Sequence, residues 1–252
     1  MTDTPRKNKS VLITDLNDAD RPFVISQLLE RQFTHSTFLT KHSERPDPSS
    51  FSLVISETDK DKIALLLDEV CFDMGERWKF GKDFSGSELI LEAGISLDIE
   101  STPEALTSAY EALAVFFTYT VCKEEFNYTR LGMQEILRNA LEHGSCGLDG
   151  EAKKKLSEDG KLENFLREKA DCSNIINIKV EVNEEGIALT TTDNGAGFNW
   201  FEVLGYLETR SGDTLRVTQR GLLLVKQLFD VVFFNEKGNQ ITCVKKRFMR
   251  ER

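Results

Sequence analysis

Residues 131–144 read LGMQEILRNALEHG. Glu135, Asn139 and His143 stand four residues apart, with Met133, Ile136, Leu137, Ala140 and Leu141 between them. Four-residue steps advance an α-helix by only ~40° beyond a full turn, so the three polar groups form one stripe beside an apolar face. Such a stripe is either solvated or the wall of a site, and the flanking segments decide which.

Downstream, the alternating runs IINIKVEV (175–182) and GIALTTTD (186–193) are joined by NEEG and predict a β-hairpin. DNGAGF (193–198) follows at once, and Gly195 and Gly197 let the backbone turn with positive φ and approach a ligand. Alone, the turn is also an ordinary Asp-Asn-Gly turn. It lacks the third glycine and strand-to-helix setting of a dinucleotide fingerprint, and the acidic spacing of an EF-hand loop. In TQRGLLLVKQLFD (218–230), Gly221 opens an apolar helix behind Arg220. Free amides at a helix start beside an arginine suit a phosphate, although a core helix that begins near a glycine reads the same way.

Upstream lie a strand-like SELILEAGISLDIES (87–101) and a helix PEALTSAYEALAVFFTYTV (103–121). The charged segment 145–174 has helical charge spacing but few apolar anchors, which predicts two short solvated helices joined at Asp159-Gly160. The end, VVFFNEKGNQITCVKK (231–246), reads as a hairpin. Residues 1–82 read as a small α/β module: strand VLITD (11–15), helix DADRPFVISQLLERQF (18–33), strands STFLT (36–40) and FSLVIS (51–56), and a helix from 58 ending near Gly75. KFGKDFSGS (79–87) is the expected linker to a second domain, 83–252.

In this order the motifs resemble the GHKL ATPase superfamily, in its branch of anti-sigma-factor serine/threonine kinases. ExxxNAxxHG matches the N-box, DxGxGF and RGLxLV the two glycine boxes, and GNxIT the closing strand, over about residues 88–247. The resemblance implies an α/β (α+β) two-layer sandwich, a mixed sheet packed on helices, that binds ATP and Mg²⁺. It implies that Asn139 holds Mg²⁺ through its side-chain oxygen and that Glu135 is the general base. Asp193 would accept from the adenine amino group, Gly195 and Gly197 would let the backbone pass the nucleotide, Arg220 and Gly221 would lie by the phosphates, and Thr242 would support the adenine contact. His143 in this motif packs or hydrogen-bonds structurally. The chain departs from the pattern at Gln219, where the second glycine box normally starts with glycine, and in the length of 145–174, a segment that could gate the pocket or meet a partner. The first module resembles the first half of a receiver domain, with Asp15 and Asp18 at the acidic end of its first strand. Glu57 stands at the phosphoacceptor position, where a glutamate does not take phosphate in the normal way, so an interaction or dimerisation element is expected.

The implied function is a protein kinase that phosphorylates a small antagonist protein in a partner-switching circuit, with a sigma factor as a further partner and a homodimer as an expected state. The alternative is an ATP-sensing adaptor without transfer, motivated by Gln219. A sensor histidine kinase is disfavoured, because neither His35 nor His42 lies in a helical hairpin followed by an acidic residue. Composition agrees with a soluble globular protein: of 252 residues 40% are hydrophobic and 29% charged. A net charge of −10 argues against direct nucleic-acid binding, and the basic tail KKRFMRER (245–252) reads as a soluble end. Five cysteines without a CxxC pair indicate neither a disulfide framework nor a zinc site. No apolar leader or run of ~18 apolar residues occurs, so a cytoplasmic protein without membrane contact is expected.

Overall fold

A computed structural model describes residues 10–31, 33–40, 42–44, 46, 53–73, 92–121, 123–203 and 220–247. Gln219, Gly75, the expected linker 79–87, and the tail beyond Arg247 lie outside the described residues, as do parts of the expected strands at 51–52 and 87–91.

Eight strands form one mixed sheet in the order β3-β1-β2-β4-β5-β6-β8-β7. The first three are β1 (Ser10–Thr14), β2 (His35–Phe38) and β3 (Leu53–Ser56), and both neighbours of β1 run parallel to it. The helices α1 (Arg21–Glu30) and α2 (Lys60–Asp73) follow β1 and β3. β4 (Ala93–Ser101) pairs parallel with β2 on one side and antiparallel with β5 (Asp171–Val182) on the other. The remaining strands, β6 (Gly186–Thr192), β7 (Val231–Phe234) and β8 (Gln240–Lys246), are antiparallel to their neighbours.

Period-two alternation assigns the sheet its inner face. Ile176, Ile178 and Val180 of β5 and Ile187 and Leu189 of β6 are buried, whereas Lys179 and Glu181 between them are exposed. The buried residues join a core with Ala109, Leu113 and Phe116 of α3 (Pro103–Thr120) and Met133, Ile136 and Leu137 of α4 (Lys123–Asn139). This is the expected two-layer sandwich of a mixed sheet on helices. The 145–174 segment forms α5 (Gly150–Glu158) and α6 (Leu162–Lys169), broken at Gly160, whose φ of +67° is the left-handed conformation glycine adopts cheaply. At the other end of the chain, α7 (Arg220–Leu228) packs on α4. No described helix is long and apolar enough to cross a membrane.

The first module and the rest share both sheet and core. Val11, Ile13, Val24, Leu28 and Ile63 belong to the same buried cluster as Ile95, Leu97 and Phe116. The α1 helix lies on α3, where the Tyr119 hydroxyl donates to Glu30 Oε1 at 3.1 Å. Arg21 opens α1 and is 1% exposed, with its Nη2 2.7 Å from Asp18 Oδ1. Burial pushes its guanidinium below the usual range, while Asp18 and the β4 carboxylates Asp98 and Glu100 oppose that shift. Cutting the chain to 83–252 would strip β2 from the edge of β4 and uncover the α1-facing side of α3. Such a fragment is expected to melt well below the full chain or to aggregate, as read by scanning calorimetry. An unchanged melting temperature would mean that the shared core contributes nothing to the second segment.

Candidate functional site

The polar stripe read from 131–144 lies on α4 and on the turn that continues it. Beyond Asn139 the helix widens to π geometry over Ala140–Ser145, whereas the sequence predicts an uninterrupted α-helix to 144. Single π turns are rare and recur at functional sites. Here the wide turn ends where Gly144 meets the Asp193 carboxylate, and a β-carbon at Gly144 would fall on that carboxylate. Nine residues earlier, roughly 13 Å along a helix at 1.5 Å per residue, Glu135 makes an equivalent contact. Its carboxylate occupies the space that a β-carbon on Gly221 would take. Asn139 stands between the two, half-buried, and its carboxamide has no hydrogen bond among the described residues.

Asp193 closes β6, and its backbone is fixed by the β7–β8 turn. Its amide donates to the Asn239 carbonyl at 3.0 Å, and Asn239 Nδ2 donates to the Asp193 carbonyl at 2.6 Å. Asn235 Oδ1 accepts from the amides of Gly238 and Asn239, which shapes that turn. On the side chain, Oδ1 accepts from the Gly195 amide at 2.8 Å. Partial burial raises the Asp193 carboxyl above the ordinary aspartate range, and the Gly195 amide and Lys237 offset only part of that shift.

The two glycines of the turn differ in purpose. Gly197 has φ +76°, and a β-carbon there would strike the Lys237 carbonyl. Gly195 does not have the positive φ expected of it; it is needed because its missing side chain would otherwise overlap the Gly144 carbonyl. His143 is exposed, and its Nδ1 contacts the Leu148 carbonyl, a structural bond within the turn.

Thr242 is not brought to Asp193. It pairs across the sheet with Thr190, hydroxyl to hydroxyl at 2.9 Å, which places both on the face opposite the helices. Thr191 faces the helices instead: it is 1% exposed and its hydroxyl has no partner among the described residues. It lies two residues before Asp193 and therefore on the same face, so strand alternation was the signal that identifies it. Asn235 was missed by the motif reading, and Asn239, within GNxIT, was given no role; NEKGN (235–239) as an Asx-Gly turn was their signal.

Arg220, exposed, and Gly221 form the first turn of α7. Beside them a cavity of about 250 Å³ is lined by Glu135, Gly221 and, from α5, Gly150, Lys153, Lys154, Ser157 and Glu158. Glu135, Asn139, Asp193, Gly195 and Gly221 are thus gathered along one helix, with Arg220 at its Glu135 end.

The histidine kinase-like ATPase domain family matches residues 99–245, more than half of the chain, and the chain belongs to that family. It therefore carries an ATP-binding, kinase-like domain. No curated protein matches the chain.

Because its carboxyl is raised in the folded state, ionised Asp193 costs the nucleotide-free protein stability at neutral pH. That cost is absent below the unfolded aspartate value and grows as pH rises through the raised folded value. Asp193→Asn keeps an oxygen for the Gly195 amide but removes the charge. It is expected to melt higher than wild type at pH 7, with the gap closing as pH falls below about 4. Differential scanning fluorimetry across pH checks this; a variant that melts lower at pH 7 would contradict the burial argument.

Proposed function

We propose that the protein is an ATP-dependent serine/threonine protein kinase of the anti-sigma-factor type, which phosphorylates a small antagonist protein and so changes the partner of a sigma factor or a similar regulator. The observation that carries this reading is the placement of Glu135. It packs against the first turn of the glycine-box helix, one turn before Asn139, at the end of the stripe remote from Asp193.

The residues present suit a nucleotide in that orientation. At one end stand a raised, half-buried carboxylate and the unpartnered hydroxyl of Thr191, both able to bond an adenine edge. At the other, Arg220 stands beside Gly221 in α7, and its guanidinium suits phosphate oxygens. Among the described residues no group of three or more His, Cys, Asp or Glu side chains assembles a cation site. Mg²⁺ would therefore take its oxygen ligands from the phosphates, from water and from Asn139, as this ion commonly does with nucleotides. When bound, the ion supplies neutralisation of the phosphate charge. Glu135 then orients the acceptor hydroxyl and takes its proton as the oxygen attacks the terminal phosphorus in line, with ADP as leaving group.

Incubation with γ-labelled ATP and small antagonist proteins of the same proteome is expected to label a serine or threonine of one of them. Glu135→Gln should slow that transfer by about 10²–10⁴-fold, the usual weight of a general base. Nucleotide bound tightly with no transfer to any acceptor would favour the ATP-sensing adaptor. A second measurement addresses Asn139. Mg·ATP should raise the melting temperature of the wild type, because a ligand stabilises through its affinity for the folded state. Asn139→Ala should lose most of that increment while melting like wild type without nucleotide; an increment left intact would remove the metal assignment.

A further inference from the structure

The α5 helix stands outside the motifs that define the family, yet it is bound firmly to the helix that carries them. Glu142 on the π turn is 0% exposed and forms ion pairs with Arg138 of α4 and with Lys153 of α5, the latter at 2.6 Å. Arg138 Nη2 continues to Glu163 of α6 at 2.8 Å. Losing one partner of a buried ion pair leaves an uncompensated charge, so this network fixes α5 along the polar stripe.

Lys153 is thereby neutralised by Glu142, and Lys154 is not. Its partner within the helix is Glu158, at 3.8 Å, and the two side chains are 54% and 66% exposed. Such a pair contributes little and is readily exchanged for a better one. Lys154 also lines the cavity that holds Glu135 and Gly221. The cavity wall carries two carboxylates, Glu135 and Glu158, and two ammonium groups, Lys153 and Lys154, of which only Lys153 is held by a buried partner.

We propose that Lys154 contacts the terminal phosphate of the bound nucleoside triphosphate, making α5 the phosphate-side wall of the site and a discriminator between triphosphate and diphosphate. The proposal rests on the nucleotide-binding reading above. An ammonium on a flexible stem acts as a point charge, and Lys154 lines the cavity beside Glu135, the residue proposed to face the terminal phosphate.

The test is the dissociation constants of labelled Mg·ATP and Mg·ADP for the full-length protein, measured by equilibrium dialysis. Lys154→Ala is expected to weaken ATP about tenfold or more, the scale of one charge-assisted hydrogen bond, while ADP changes less than about twofold. Lys154→Arg should keep most of the ATP affinity. Lys154→Gln, which retains length and helix propensity, provides the same comparison should the alanine variant fold poorly. Unchanged ATP affinity in the alanine and glutamine variants, or an equal loss for ATP and ADP, would overturn the assignment while leaving nucleotide binding in place. Wild-type protein that binds neither nucleotide would overturn the nucleotide reading, and this proposal with it.

Discussion

The geometry of the site depends on two places where a carboxylate lies directly on a glycine of another segment. Gly144 receives Asp193, and Gly221 receives Glu135. A β-carbon at Gly144 would displace the Asp193 carboxylate from its bond with the Gly195 amide, and one at Gly221 would turn the end of the Glu135 side chain away. Close approach of this kind is a steric permission that only glycine grants. It also explains why HG closes the first motif and RG opens the later one: the glycines act on partners distant in sequence.

The Asp193 end of the site and its α5 side are held by different means. At the Asp193 end, the loop 193–198 and the turn 235–239 interlock through backbone. Gly197 makes room for the Lys237 carbonyl, Gly238 for the Phe198 carbonyl, and the Asn239 side chain donates to Asp193. Each turn is shaped by the other, and backbone bonds of this sort leave little freedom to the Asp193 carboxylate. The α5 side is held by side chains: Glu142, two residues before Gly144, pairs with Lys153 of α5, and Arg138 bonds Glu163 of α6. The buried Glu142 pair is costly to break, whereas the partly exposed Arg138–Glu163 pair contributes little.

The elements of the fold were legible in the sequence where burial imposes a period. The β5–β6 hairpin, the helix at 103–121 and the two insertion helices broken at Asp159-Gly160 all follow from alternation or charge spacing. What the pattern did not disclose was pairing. The short apolar runs at 11–15 and 36–40 carry no mark of their partner, and nothing in them shows that β2 lies beside β4. The same limit applies to the site. Residues within one helix, Glu135 and Asn139, were legible because helix geometry relates them. Thr242 was assigned to the adenine side by motif alone, and the register Thr190↔Thr242 places it on the other face. The π turn was hidden as well, since ALEHGS has ordinary helical spacing and its widening answers to a contact with Asp193, 49 positions from Gly144 by number (193 − 144).

β4 is the strand through which the first 82 residues meet the cleft. Its N-terminal half pairs with β2, and its carboxylates Asp98 and Glu100 face the buried Arg21. Its last residue, Ser101, is fully buried and bonds the Ser145 hydroxyl at 2.8 Å, one residue beyond Gly144. Ser101 and Ser145 thus link β4 to the turn that seats Asp193, and Arg21 acts on β4 through the charges of Asp98 and Glu100. Contiguity alone is not coupling. It does define what coupling would require: a change at Arg21 or its carboxylates moves the cleft only by shifting the end of β4, because the well-filled core beside it yields little.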